Sequence, residues 1–237
     1  MNCNQFIFSI LLFSIFSLSY AQSPMVVSPI DPVLQCGETQ SFSLETEEGG
    51  LADVRTVNAS GELDLDDDVY SGVIDIGFEF EFFGMSYTQV VVGSNNYLTF
   101  NLASANQGSG YTITNPIPDP GGKVNSIMCP WQDINPEVGG TITYATLGEA
   151  PNRVFVVSYE NIPMYSCGNL SFTSQVHLYE GCNTIETHIL EKPLCPSWNN
   201  GRAIHGLHNA TGSVAIVVEA EDEDGNVVVR NSPIQWT

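Results

Sequence analysis

Two groups of oxygen-bearing side chains give this sequence its clearest potential for chemistry. In each group the residues stand at every second position, so that in an extended chain they would point to one side. The groups are Asp64, Asp66 and Asp68, and Asp133, Asn135 and Glu137. Carboxylate and amide oxygens are the ligands that calcium prefers, so both groups are candidate calcium sites and calcium is the one cofactor that we consider.

Both groups also have an interpretation that needs no metal. Asp133 can accept backbone N–H bonds in a turn that the following Asn135-Pro136 pair completes. The run of acidic residues from Asp64 to Asp68 can simply form a solvated face, as most charged runs do. It also lacks the glycine and the final glutamate of an EF-hand loop. The sequence therefore leaves the choice between calcium and backbone capping open.

Two tryptophans are candidates for ligand binding. Trp131 follows the residues Cys-Pro, and Trp198 follows the similar residues Cys-Pro-Ser. An exposed tryptophan in a loop can stack on a sugar ring, because it combines an apolar face with a polar edge. The alternative is that the two rings fill the core or plug a loop, as tryptophans in β-sandwiches generally do.

Residues for catalysis do not form a recognisable pattern. The sequence contains no Gly-x-Ser-x-Gly motif and no cysteine that stands near a histidine in a known arrangement. His177 and His188 lie in the two arms of one predicted hairpin and could be neighbours across it, but a structural or solvent-facing role is favoured over zinc binding. We therefore expect no catalytic residues and no enzymatic activity.

The elements that must position these side chains are β-strands. In residues 73–84 five apolar residues alternate with polar ones, the period of a strand with one buried face. Residues 87–101, 140–162, 170–191 and 213–231 each indicate a hairpin with a turn rich in Gly, Asn or Asp. These short strands predict an all-β fold, an antiparallel β-sandwich with long loops and no substantial helix. Residues 103–126 are predicted to be a surface loop.

Composition limits where the protein acts. Residues 1–21 form an apolar segment that ends in Ser-Tyr-Ala, which is typical of a signal peptide, and residues 22–237 are predicted to form a single domain. Within it, residues 22–50 are expected to supply an N-terminal strand or extension. The net charge of −21 disfavours nucleic acid as a partner, and no segment after the signal peptide is apolar for long enough to span a membrane.

Several ordered blocks of the chain resemble a known family. Residues 77–100, GFEFEFFGMSYTQVVVGSNNYLTF, are similar to the aromatic strand and Ser-Asn-Gly turn of nidogen-like extracellular β modules, with Asn96 in place of the usual glycine. Residues 125–144, 152–167 and 179–212 resemble segments of Bacteroidota surface proteins that are associated with gliding motility and exported by type IX secretion.

This resemblance implies a secreted protein at the cell surface with a non-enzymatic adhesion or scaffold role, connected with gliding motility or attachment. Its partners would be other cell-surface proteins, extracellular glycans or further copies of the chain. The alternatives are a calcium-assisted carbohydrate-binding module and a subunit of a surface filament. The resemblance also implies a disulfide between Cys167 and Cys195, and it leaves Cys36, Cys129 and Cys182 unassigned.

Overall fold

A computed structural model describes residues 60–221, 227–229 and 234–235. The predicted signal peptide, the N-terminal extension of residues 22–50 and Cys36 lie outside the described residues. Within the described ranges the chain forms strands and three short 3-10 turns, and none of its helices is long and apolar enough to cross a membrane.

The first sheet has five antiparallel strands, and four of them follow one another in a meander. Its spatial order is β1 (Gly61–Leu63), β6 (Thr141–Leu147), β7 (Val154–Met164), β8 (Cys167–Tyr179) and β9 (Ile185–Glu191). The hairpins predicted in residues 140–162 and 170–191 are confirmed by the register of β6 with β7 and of β8 with β9.

The second sheet is built from distant parts of the chain. Its order is β11 (Ala215–Val217), β10 (Arg202–His208), β5 (Ser126–Trp131), β4 (Tyr97–Thr99), β3 (Met85–Gly93) and β2 (Ile74–Phe82). A short strand, β14 (Ile234–Gln235), also pairs with β10. Strands β12 (Glu219–Glu221) and β13 (Val227–Val229) form a separate two-stranded ribbon, which agrees with the hairpin predicted in residues 213–231.

Strand β2 shows why this sequence forms a sandwich. Its residues alternate strictly between buried and exposed, and the buried set consists of isoleucine and phenylalanine. These side chains pack with apolar residues of the first sheet, including Phe155, Val157 and Val176. Burying one face of each sheet against the other removes apolar surface from water, and this is the main force that holds the two layers together. The predicted antiparallel β-sandwich is confirmed.

A second, smaller core lies on the other face of the second sheet. It contains Tyr97, Met128, Trp131 and Ile204 from the strands, together with Ile113 and Ile117 from the connection between β4 and β5. The predicted surface loop of residues 103–126 is thus anchored by two almost fully buried isoleucines. Only part of this loop is available to a ligand.

The disulfide between Cys167 and Cys195 is confirmed. It joins the start of β8 to the connection that follows β9, with a sequence separation of 28 residues. Closing a loop of this size is expected to stabilise the fold by roughly 3–4 kcal/mol, chiefly by restricting the unfolded chain. The bond also holds the loop that carries Trp198 against the end of the sandwich. The Cys129 thiol is buried between the sheets.

Candidate functional site

Three carboxylates from two distant segments meet at one end of the sandwich. Asp67 and Asp68 lie in the connection between β1 and β2, and Asp133 lies just after β5. One side-chain oxygen from each lies within 4.8 Å of the others. Three negative charges this close repel one another strongly in a partly buried site, so the arrangement favours a cation between them.

The backbone at Asp68 explains why two consecutive residues reach the same place. Residues 64–66 are irregular, and Asp67 and Asp68 form a turn in which Asp68 has a φ of 53°. In this left-handed conformation the side chain no longer follows the alternation of a strand. The strand-like spacing that grouped Asp68 with Asp64 and Asp66 therefore ends before the turn.

A buried polar turn between β3 and β4 fixes both acidic segments. The Asn95 side chain donates to Asp68 Oδ1 at 2.7 Å and accepts from the backbone N–H of Ile134 at 2.9 Å. Ser94 accepts from the backbone N–H of Val69 at 3.1 Å. Because this turn is completely buried, it holds the two loops in one rigid frame.

Asn96, the next residue of the turn, holds the end of β5. Its side-chain N–H groups donate to the carbonyl oxygens of Cys129 and Pro130, and its oxygen accepts from the Ser174 hydroxyl at 2.8 Å. Its φ of 59° confirms that asparagine adopts the left-handed conformation of the glycine usual at this position. Asn96 therefore determines where the chain leaves β5 towards Asp133.

Asp133 is held by a third loop. The indole Nε1–H of Trp198 donates to Asp133 Oδ2, and the backbone N–H of Tyr165 donates to the Asp133 carbonyl. The Asn135 amide donates to Asp67 Oδ2 at 3.0 Å and links the two acidic segments directly. Asp133 is only 4% exposed, so its charge is largely removed from water.

Three oxygens of this cluster are buried and accept no hydrogen bond from any residue that the structure describes: Asp67 Oδ1, Asp133 Oδ1 and Asn135 Oδ1. Buried oxygens of this kind are rare in proteins unless a ligand, an ion or an ordered water molecule pairs with them. Burial raises the pKa of Asp133 from 3.8 to about 7, with a further contribution from the charges of Asp68 and Asp67 and an opposing one from the Trp198 hydrogen bond included in that value. Burial and the charge of Asp68 raise the pKa of Asp67 to about 6.

The geometry fits calcium. Calcium binds oxygen ligands at about 2.3–2.6 Å, so two oxygens on opposite sides of the ion lie up to about 5 Å apart. The three carboxylates lie within 4.8 Å of one another, and Asn135 Oδ1 adds a neutral oxygen of the kind found in calcium sites. Four side chains could therefore supply most of a coordination shell, and water would complete it.

The structure brings together residues from both predicted groups but not all of them. Asp68, Asp133 and Asn135 belong to the cluster. Asp64 and Asp66 are exposed on the preceding segment, and Glu137 lies exposed in a 3-10 turn, close enough for its charge to raise the pKa of Asp67. Asp67 was not among the predicted ligands. It stands directly between Asp66 and Asp68, so it does not follow the spacing of two residues that grouped Asp64, Asp66 and Asp68.

The two predicted tryptophans have different environments. Trp131 is buried in the smaller core, where its ring contacts Tyr97 and lies 5.2 Å from Lys123 Nζ, a cation–π contact that also involves Tyr70. This ring has no face open for stacking on a sugar.

Trp198 is half-buried beside the carboxylate cluster. Its ring packs against Tyr165 at 4.7 Å and against Tyr111 at 5.8 Å between centroids. An aromatic surface therefore borders the acidic site.

A rigid β-sandwich that carries polar and aromatic side chains on the loops at one end has an architecture that is typical of binding modules. The chain matches the NIDO-related family over residues 41–233, and we conclude that it belongs to this family. The match supports the nidogen-like resemblance of the sequence, and together with the disulfide it indicates an extracellular location. No significant match was found among curated proteins or among solved structures.

Proposed function

We propose that this protein is a non-enzymatic adhesion or scaffold module of a bacterial cell surface, and that calcium bound by Asp67, Asp68 and Asp133 makes its loop end competent to contact a partner. The observation that carries the proposal is the convergence of three carboxylates, two of which, Asp67 and Asp133, each have a buried oxygen that accepts no hydrogen bond from the described residues. The family and the disulfide support the extracellular part of the proposal.

Calcium would act by joining loops whose ionised carboxylates otherwise repel one another. The cluster draws on the β1–β2 connection and the β5–β6 connection, and Trp198 links it to the β9–β10 connection. Extracellular calcium sites typically bind with dissociation constants of about 10⁻⁴ to 10⁻³ M, which suits a protein exposed to millimolar calcium. In this mechanism, neutralising the cluster fixes the positions of Trp198 and Tyr111 for contact with a neighbouring surface protein or a glycan.

Genetic complementation tests the adhesive role. We expect deletion of the gene to lower attachment of the cells to a solid surface or to reduce gliding. Wild-type protein and the control Asp66→Asn are expected to restore the behaviour, whereas Asp133→Asn is not, and chelation of calcium is expected to abolish the wild-type rescue. Asp66 is a suitable control because its replacement changes the net charge equally at an exposed position outside the cluster. Unchanged attachment and motility in the deletion strain would contradict the proposal.

A second candidate function is calcium-assisted carbohydrate binding, which the aromatic border of the site favours. Tyr111 is 40% exposed and contacts Trp198, whose indole donates to Asp133. A sugar could place its apolar face on Tyr111 and its hydroxyl groups near the cation.

A glycan array with and without chelator tests this second function. We expect binding only with calcium and about fivefold weaker binding by Tyr111→Ala, because a stacking contact contributes about 1 kcal/mol. Phe83→Ala is the control, since Phe83 is a similarly exposed aromatic residue (37%) at the β2–β3 turn and outside the site. Absence of binding to any glycan in either condition would exclude the carbohydrate function.

A further inference from the structure

A second group of metal-binding side chains lies on strands β8 and β9, apart from the acidic cluster. The register of these strands pairs His177 with Glu186 and Gln175 with His188. Side chains that stand opposite each other in an antiparallel pair, or two residues along, share one face of the sheet. The two histidines and the glutamate are therefore brought together by regular strand geometry rather than by a loop.

Two of the three distances between the possible donor atoms match a zinc site, and all three atoms lie within 4.8 Å of one another. His177 Nδ1 lies 3.6 Å and His188 Nε2 lies 3.3 Å from the same oxygen, Glu186 Oε2. Zinc binds imidazole nitrogen and carboxylate oxygen at about 2.0–2.2 Å, so two ligands of a tetrahedral zinc ion lie about 3.3–3.5 Å apart. The observed separations correspond to edges of such a tetrahedron.

A directed chain of hydrogen bonds orients the His177 ring. The carboxylate of Glu160 can only accept, so the Ser158 hydroxyl donates to it at 3.0 Å and accepts from the Gln175 amide N–H at 3.2 Å. The Gln175 oxygen, 3.0 Å from His177 Nε2, then accepts the ring N–H. In the neutral form of the ring, this hydrogen bond leaves the lone pair on Nδ1, the nitrogen that faces Glu186. A metal-bound histidine usually donates its other N–H to an oxygen in this way.

The third ligand and the fourth coordination position are both accessible. The Tyr179 hydroxyl donates to Glu186 Oε2 at 2.6 Å and orients this carboxylate. The side chains of Glu186 and His188 are 41% and 20% exposed, whereas His177 is fully buried. A metal ion could therefore enter from solvent and keep one position for water or for a ligand atom of a partner.

We propose that His177, Glu186 and His188 bind a zinc ion. Zinc is favoured over calcium because two of the three donors are imidazole nitrogens, which calcium seldom accepts. His177 Nδ1 and Glu186 Oε2 lie 3.6 Å apart, and a zinc ion between them would be bound by both atoms once the histidine is neutral. This proposal does not depend on the function proposed for the acidic cluster, since the two sites share no residue.

Isothermal titration of the metal-free full chain with zinc chloride, in the presence of millimolar calcium, tests the site. We expect one zinc ion per chain at this site, with a dissociation constant in the micromolar range or below. His188→Ala and Glu186→Gln are each expected to weaken binding by at least about 100-fold, because each removes a donor atom or its charge. Both replaced side chains are partly exposed, so the fold should survive the change.

Cobalt substitution gives a second measurement. Bound Co²⁺ is expected to show the intense visible absorption of a tetrahedral site in the wild type and to lose it in His188→Ala. Glu191→Gln, an exposed glutamate at the end of β9, is the matched control, and Asp133→Asn is expected to leave zinc binding unchanged. Absence of zinc binding by the folded wild type, or zinc binding that neither His188→Ala nor Glu186→Gln weakens, would overturn the proposal and leave a histidine–glutamate ion pair only.

Discussion

Replacement of Asn96 by alanine is expected to destabilise the protein by about 4 kcal/mol, because three buried groups lose their hydrogen-bond partner at once. The amide of Asn96 donates to two carbonyl oxygens at the end of β5 and accepts from Ser174, all without exposure to solvent. About 1 kcal/mol of this total comes from placing alanine in a left-handed backbone conformation. For a domain of this size the loss corresponds to a melting temperature lower by roughly 10 °C.

Asn106 offers a matched control for this experiment. It has the same φ of 59° as Asn96, but it is exposed and its side chain makes no hydrogen bond with the part of the chain that the structure describes. Asn106→Ala therefore places alanine in a left-handed conformation but removes no buried hydrogen bond. It is expected to lower the free energy of unfolding by about 1 kcal/mol. Chemical denaturation of both variants measures the difference. Equal losses for the two variants would show that the buried bonds of Asn96 contribute nothing.

The role of Asn96 also shows how far the sequence predicts this structure. The strands were predictable because their signal is local: β2 alternates five apolar residues with polar ones, and the Gly-Ser-Asn-Asn turn separates β3 from β4. The turn signal indicated a hairpin connection. It did not indicate that the same asparagines are buried and support two other loops, since that role depends on contacts more than 25 residues away.

The acidic cluster was only partly predictable from the sequence. Alternation is a valid guide inside a strand, and it singled out Asp68, Asp133 and Asn135, which the structure places in the cluster, but it does not apply in the turn at Asp67. The meeting of Asp67 with Asp133, 66 residues later, results from the Ser94–Asn96 turn and from the Asn135 side chain. In the same way, two isoleucines in an otherwise polar stretch gave little sign that residues 103–126 cover a second core.

Calcium binding is expected to depend steeply on pH, because two of the proposed ligands hold protons near neutrality. The pKa of Asp133 is about 7 and that of Asp67 about 6, both raised mainly by burial and by neighbouring negative charges. Calcium requires both carboxylates without their protons. From pH 8 to pH 6 the affinity is therefore expected to fall about 20-fold, whereas a site of ordinary carboxylates would hardly change.

The same shifts determine the stability of the calcium-free protein. Both pKa values are higher in the folded state than the ordinary 3.8, so between about pH 4 and pH 7 the native state binds more protons than the unfolded state. The contribution of these two groups to the free energy of unfolding consequently falls as the pH rises through this window. Calcium is expected to offset that fall, so its stabilising effect should be larger at pH 8 than at pH 5.

Titration calorimetry in two buffers of different ionisation enthalpy measures the coupling directly. At pH 6.5 each calcium ion is expected to displace about one proton, since Asp133 is then mostly protonated and Asp67 mostly ionised. Asp133→Asn should remove both the binding and the proton release while still offering Trp198 an oxygen to donate to, and Asp66→Asn should retain both. Binding with no proton release, or an affinity that is the same at pH 6 and pH 8, would show that calcium does not occupy the Asp67–Asp133 cluster.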